Sequence, residues 1–211
     1  MEKITLYYFT VLNSLTKARG ENVKLLLVDA GLEHDYVRVE GGESWMQKKE
    51  LLKEEKGAYS CTLPYIEIDQ GDQLKRFFKT VPIMRYISAK LGYKYHGSTP
   101  EETQFVDVVT ELTEVWFEKL KKAAFTSEEA RKHHFTVETP QELAMFDKYY
   151  SDYPGPYLLG DKFTYADILV YHMIDDDMAL DKLENTPHLA KFVEAFEQRP
   201  NIKPYLASLK Q

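Results

Sequence analysis

Residues 63–86 constrain the fold more than any other part of this chain. They read Leu63-Pro64-Tyr65-Ile66-Glu67-Ile68-Asp69, a Gly71-Asp72 turn, Gln73-Leu74-Lys75-Arg76-Phe77-Phe78-Lys79-Thr80, and then Val81-Pro82-Ile83-Met84-Arg85-Tyr86. Proline has no N–H to give to a sheet ladder, so it belongs at the first residue of a strand or on an edge. Pro64 therefore opens a strand, Gly71-Asp72 turns that strand into a hairpin, and Thr80 is placed to cap a helix. The helix start offers backbone N–H groups that suit a carboxylate. The step at Pro64 leaves the backbone of Leu63 open to whatever docks beside the sheet. The stretch reads as a site for an extended, peptide-like ligand with a carboxylate at one end.

The flanking residues supply the rest of a small domain. Lys3 to Phe9 alternates, with Ile4, Leu6 and Tyr8 on one face, which predicts a strand. Val23, Leu26, Leu27 and Ala30 keep helical spacing, and Gly31 supplies a stop. Tyr36-Val37-Arg38-Val39 predicts a second strand, and residues 43–56 a helix or loop. A helix between two strands implies a crossover and a parallel pair. The order β-α-β then β-β-α predicts a mixed sheet with helices packed on it, over residues 1–90.

Residues 91–99, with Gly92 and Gly97, read as a linker. Residues 100–211 contain no convincing strand. Thr99-Pro100-Glu101-Glu102 starts a helix, with Thr99 as cap, Pro100 at the first position and a glutamate closing the box. Phe105, Val108, Val109, Leu112, Trp116 and Leu120 continue its period. Thr139-Pro140-Gln141-Glu142 repeats the start signal. Phe163-Thr164-Tyr165-Ala166-Asp167-Ile168 gives a third, in which Asp167 reaches back and Phe163 can staple onto Ile168. A last helix spans about His188 to Gln198.

The bulk properties exclude several classes. With 211 residues there is room for one large domain or two small ones. A net charge of −7 with no basic stripe argues against a nucleic-acid partner. No apolar run approaches the roughly 18 residues of a membrane span, and the N-terminus carries no signal-peptide pattern. One cysteine, Cys61, allows no internal disulfide and fits a reducing, cytoplasmic location. His133-His134 and Asp175-Asp176-Asp177 invite a metal reading, but adjacent helical residues do not face one another and no zinc spacing is present, so no metal is expected.

A β-α-β-β-β-α-type unit followed by an all-helical unit resembles the cytosolic glutathione S-transferases. Leu63-Pro64 looks like that family's cis-proline step, and Arg85-Tyr86-Ile87 like the end of its third helix. The segment Gly160-Asp161-Lys162-Phe163-Thr164-Tyr165-Ala166-Asp167-Ile168 looks like its C-terminal capping box and staple. Arg199-Pro200-Asn201-Ile202-Lys203-Pro204-Tyr205-Leu206 looks like its final segment. The matches keep the family's order along nearly the whole chain. The resemblance implies an α/β thioredoxin-like N-terminal domain and an all-α C-terminal helical bundle. It also implies a homodimer that joins glutathione, as co-substrate, to a small hydrophobic electrophile.

Within the family, Thr5-Leu6-Tyr7-Tyr8-Phe9 is similar to the first strand of the tyrosine-type classes (sigma, mu, pi and alpha), which points to Tyr8 as catalytic. Arg19-Gly20-Glu21 is similar to the start of their first helix. Trp45 and Lys49 are placed like the pair holding the glycine carboxylate of glutathione, with Arg19 as a further candidate. Leu63, at the Pro64 step, is expected to pair its backbone with the cysteinyl part. Thr80 and the helix behind it are expected to take the γ-glutamyl carboxylate. Glu114 reads as a solvated helix face, and Cys61 as a small packed residue.

Two departures stand out. About half a dozen extra residues, around Leu12-Asn13-Ser14-Leu15-Thr16-Lys17, separate Tyr8 from Arg19. They make Ser14 an alternative hydroxyl for the thiol. The usual Gln-Ser or Glu-Ser before the third helix is here Lys79-Thr80; Lys79 attracts the γ-glutamyl carboxylate and repels its ammonium. These departures keep two alternatives open: a non-catalytic glutathione- or hydrophobic-ligand-binding or regulatory protein, and a glutathione-dependent peroxidase or isomerase.

Overall fold

Alternation along the first strand, β1 (Lys3–Phe9), puts Ile4, Leu6 and Tyr8 inside, as the sequence predicts. In a computed structural model describing residues 2–11, 14, 16–55 and 57–210, the chain divides into two units, Met1–Ile87 and Ser88–Gln211. The first unit runs β1, α1 (Arg19–Asp29), β2 (His34–Val39), α2 (Glu43–Lys53), β3 (Tyr65–Asp69), β4 (Leu74–Phe78) and the start of α3 (Thr80–Lys90). The strands lie in the order β2-β1-β3-β4, with β1 parallel to β2 and antiparallel to β3, and β3 antiparallel to β4. This is the mixed sheet expected from the β-α-β and β-β-α order, and it is thioredoxin-like.

Local chemistry explains where the elements stop. α1 ends in a Schellman motif: Leu32 N–H reaches Leu27 O at 2.9 Å and Gly31 N–H reaches Val28 O at 3.0 Å, with Gly31 at φ 68°. The hairpin turns where Gln70 N–H meets Gln73 O at 2.9 Å, and Asp69 accepts the Gly71 N–H at 2.8 Å. On the buried sheet face, Ile4, Leu6, Ile66 and Ile68 form a core with Val23, Leu26, Leu27, Ile83 and Met84. On the other face, Tyr65 stacks on Tyr7 at 4.4 Å between ring centres, and Leu52, Ala58 and Cys61 pack against it.

The second unit completes α3 and adds α4 (Pro100–Ala124), α5 (Glu128–His133), α6 (Thr139–Ser151), α7 (Tyr165–Asp176), α8 (Pro187–Glu197) and α9 (Ile202–Ser208). Thr99 caps α4 by accepting the Glu102 N–H at 3.2 Å, while Glu102 reaches past it to the Ser98 N–H at 2.6 Å. The α4 period turns out to serve two faces. Val109 and Trp116 are buried with Val106, whereas Val108 and Leu112 line an open groove.

Thr139 corrects the sequence reading in part: it is the first residue of α6, but it caps no free helix end. The helix continues into α6 from α5 through one π turn, His134–Glu138. In a straight α-helix the ring of Pro140 would clash with the carbonyl four residues back. The wider turn avoids this, and Thr139 N–H bonds to His134 O instead. Thr139 holds helical dihedrals, φ −55° and ψ −49°, so it is not a cap, and its hydroxyl donates to Asp177 Oδ2 at 2.8 Å.

The same π turn buries a charged network. His134 is fully enclosed, with Nδ1 2.7 Å from Glu138 Oε2 and Nε2 2.7 Å from Asp177 Oδ1. Trp116 Nε1–H donates to the other Asp177 oxygen at 2.7 Å. Both ring nitrogens face carboxylates, so both carry protons. Burial opposes the charge, but bonding to Asp177 and Glu138 outweighs it and raises the His134 pKa above the ordinary value. A raised pKa in the folded state gives stability that is full below about pH 6.5 and is lost as pH rises through the folded value. Urea midpoints measured from about pH 6 to about pH 9 should fall more steeply for the wild type than for His134→Gln. Parallel profiles would mean that His134 is neutral in the native state.

Candidate functional site

The β1–β2 register decides what surrounds Tyr8. Leu6 pairs with Tyr36 and Tyr8 with Arg38, so all four share the sheet face that α1 covers. Tyr7 points the other way, donates to Glu67 Oε2 at 2.7 Å, and has its pKa pushed up to about 12 by burial and that hydrogen bond. Of the two adjacent tyrosines, Tyr8 is the buried one. Its ring lies directly under α1 at Gly20: a Cβ there would sit 2.5 Å from Tyr8 Cγ and Cδ1 and would overlap the Tyr36 hydroxyl.

α1 begins abruptly. Ala18, before it, holds φ 63°, a left-handed value that only the surrounding chain can impose on alanine. Arg19 is the first helical residue, half-buried, with Glu21 buried one position beyond Gly20. Ser14 sits in a tight bridge with Val11, its N–H 2.8 Å from Val11 O. Its hydroxyl lies 3.4 Å from the Thr16 hydroxyl and accepts the Thr16 N–H at 3.3 Å. Leu12, Asn13 and Leu15 of the extra loop lie outside the described residues, as does Lys56.

At the opposite end of the ladder the Leu63–Pro64 bond is cis. The β1–β3 register ends at Tyr7–Tyr65, so Leu63 lies beyond the last pair, half-buried. Trp45, on α2, is half-buried; it stands edge-on to Phe9 at 6.2 Å and stacks on Tyr65 at 6.4 Å. Lys49 is one turn along the same helix, and its charge acts on Cys61. Cys61 itself is packed, donating to Ala58 O at 2.6 Å, and burial pushes its thiol pKa up.

The α3 start differs in detail from the sequence reading. Lys79, not Thr80, occupies the cap position. Its φ of 72° turns the chain, and its carbonyl accepts the Ile83 N–H at 3.0 Å. Thr80 becomes the first helical residue and is buried, while the Lys79 side chain is exposed. Proline at 82 removes one N–H from the first turn, which leaves those of Thr80 and Val81 without intrahelical partners. Two convergent N–H groups at the positive end of a helix dipole form an anion site.

The residues named from the sequence thus fall into three places: the end of β1 with the start of α1, the α2 face around Trp45, and the Leu63-to-Thr80 segment. Gly20, Tyr36 and Arg38 are additional members of the first. Arg38 stacks its guanidinium 3.7 Å from the Tyr36 ring centre and donates to the carbonyl of Phe9 at 3.2 Å. Their signal was a strand pairing, which no single segment carries.

The chain is similar to known proteins along its length. Residues 107–209 match the family described as Glutathione S-transferase, C-terminal domain. A Caenorhabditis elegans protein named Glutathione S-transferase P is 30% identical, the match covering 89% of this chain and 86% of that one. A Fasciola hepatica class-mu glutathione S-transferase is 30% identical over 91% of this chain and 84% of its own. A solved C. elegans structure titled as a glutathione S-transferase superposes with a TM-score of 0.76 at 25% identity, covering 98% of each chain.

Proposed function

We infer that this chain, which belongs to the glutathione S-transferase family, is an enzyme that conjugates the glutathione thiolate to hydrophobic electrophiles. The observation that carries the reading is Tyr8, a buried tyrosine at the end of β1, on the same unit as a cis Leu63–Pro64 step and the open N-terminus of α3. A free cysteine thiol has a pKa of about 8.5, so only a few per cent is ionised near neutrality. A phenol donating to sulfur favours the thiolate, and each unit of lowering corresponds to about 1.4 kcal/mol.

In this reading the tripeptide lies extended along the open side of Leu63, adding its cysteinyl backbone to the sheet as a further strand. The γ-glutamyl carboxylate meets the Thr80 and Val81 N–H groups and the Thr80 hydroxyl. The Lys79 ammonium adds attraction to that carboxylate and weakens the hold on the nearby amine. Trp45, Lys49 and Arg19 take the glycine carboxylate. The protein works as a cytoplasmic homodimer. A groove of about 1280 Å³ on the second unit, lined by Val108, Leu112 and Val115 together with Glu111 and Glu118, supports the dimer. Among the described residues no helix is long and apolar enough to cross a membrane.

Turnover of an aryl halide with glutathione tests the activity, and light scattering on the same preparation tests the dimer. Tyr8→Phe should lower kcat on the order of 100-fold, as loss of one charge-stabilising donor does, with the glutathione KM changing less than about twofold. Unchanged turnover would sink the Tyr8 assignment, and loss on Ser14→Ala instead would transfer the role to Ser14.

A further inference from the structure

We propose that Tyr36 is a positioning residue for the Tyr8 hydroxyl, a proposal that rests on the conjugation reading above. Tyr36 lies on β2 opposite Leu6, on the sheet face that carries Tyr8. Its hydroxyl is buried and makes no well-formed hydrogen bond among the described residues, with the Arg38 guanidinium near enough to act on it only weakly. A buried donor left unmade costs stability, and phenylalanine would fill nearly the same volume without that cost. An unsatisfied group kept beside a reacting residue points to a use.

The geometry supplies the use. The Tyr36 hydroxyl and the Tyr8 ring meet at one point, the missing Cβ of Gly20. Tyr36 therefore spans from β2 to the first turn of α1 and sets the gap in which the Tyr8 ring rests. Arg38 holds the strut from below, its guanidinium against the Tyr36 ring while it donates to the carbonyl of Phe9, the residue after Tyr8. Lys24, on α1, lies 5.2 Å from the same ring centre. Burial raises the Tyr36 pKa well above the usual phenol value although Arg38 opposes it, so the hydroxyl stays protonated and acts as a spacer, not an acid. The first turn of α1 also carries Arg19, so one strut fixes two elements of the site.

This role predicts a combination that a purely structural tyrosine does not give. In Tyr36→Phe the urea midpoint should equal or exceed that of the wild type, since the orphaned hydroxyl is gone. Glutathione-dependent turnover of an aryl halide should nevertheless fall about three- to tenfold in kcat, with the glutathione KM within about twofold. On a Tyr8→Phe background the same change should alter kcat by less than about twofold, because the effect passes through Tyr8. Wild-type kcat in Tyr36→Phe overturns the proposal. So does a loss that persists undiminished on the Tyr8→Phe background, or one matched by an equivalent fall in stability. A wild-type chain with no glutathione-dependent turnover overturns the conjugation reading and this proposal together.

Discussion

Replacing Asp167 with alanine should lower the thermal unfolding midpoint by roughly 6–20 °C, the largest stability effect of any single substitution considered for this chain. Asp167 is fully buried in the first turn of α7 and accepts from four donors. Leu158 N–H at 2.9 Å and Tyr150 OH at 3.0 Å reach one oxygen; Thr164 N–H at 2.7 Å and Thr164 OH at 2.8 Å reach the other. Truncation leaves all four unsatisfied. Breaking a buried charged network of this kind costs about 3–5 kcal/mol, and each kcal/mol moves the midpoint of a domain this size by about 2–4 °C. Asp167→Asn keeps the shape but turns an NH₂ group against two donors in either orientation, so it should lose a substantial part of the same stability. Burial pushes the Asp167 carboxyl up to about 6 against the pull of its donors. A carboxyl raised in the native state holds its proton better there than in the unfolded chain, so its contribution grows as pH falls from about 6 towards about 4. The gap between wild type and Asp167→Ala should therefore widen over that window. Circular-dichroism melts at three pH values measure both effects, and a shift of only a degree or two would mean that the four donors find other partners.

The capping-box half of that network was legible in the sequence because it is local; the Tyr150 and Leu158 donors were not. Thr164 and Asp167 are three residues apart, and a capping box depends on nothing else. The hairpin at Gly71, the stop at Gly31 and the inward alternation of Ile4, Leu6 and Tyr8 were readable for the same reason. Thr139-Pro140 carried an equally good local signal and was misread. The π turn carries the helix through residue 139 and removes the need for a break at Pro140, so no free helix end is left there for Thr139 to cap. Lys79 displaced Thr80 from the cap position because the left-handed backbone there belongs to the strand-to-helix corner. Propensity gives no warning of it.

In the second unit, two buried carboxylates gather donors, three around Asp177 and four around Asp167, and tie the helices together. In the first, an unsatisfied hydroxyl at Tyr36, a left-handed alanine at 18 and a left-handed lysine at 79 lie at or beside residues assigned to the ligand. Tyr93 and Met178 in the second unit hold positive φ as well, and the Thr110 hydroxyl there is unpaired among the described residues, so such departures are not confined to the first unit; those at 18, 36 and 79 are the ones that border residues assigned to the ligand.

Gly20→Ala should remove about 99% of conjugation activity, although alanine is the better helix former by about 1 kcal/mol. On propensity alone the change stabilises α1. The register of β1 against β2 reverses that expectation. The new Cβ would lie 2.5 Å from Cγ and Cδ1 of Tyr8 and would overlap the Tyr36 hydroxyl. Those Tyr8 atoms are at the base of the ring, tied to the strand, so no flexible end can swing away. Either the ring tips or the first turn of α1 lifts, carrying Arg19 with it. Overpacking of this sort costs about 1–3 kcal/mol, against which the helix gain is partial compensation. The folded population should therefore survive with a modestly lower midpoint, while a displacement of about 1 Å at the reacting hydroxyl costs on the order of 100-fold in rate. Because the damage passes through Tyr8, the losses of Gly20→Ala and Tyr8→Phe should not multiply in the double variant. Steady-state kinetics on the four chains, with melts as a fold control, decide the matter. Turnover near wild type in Gly20→Ala would mean that the thiol is activated from elsewhere, and the hydroxyl of Ser14 would become the first to test.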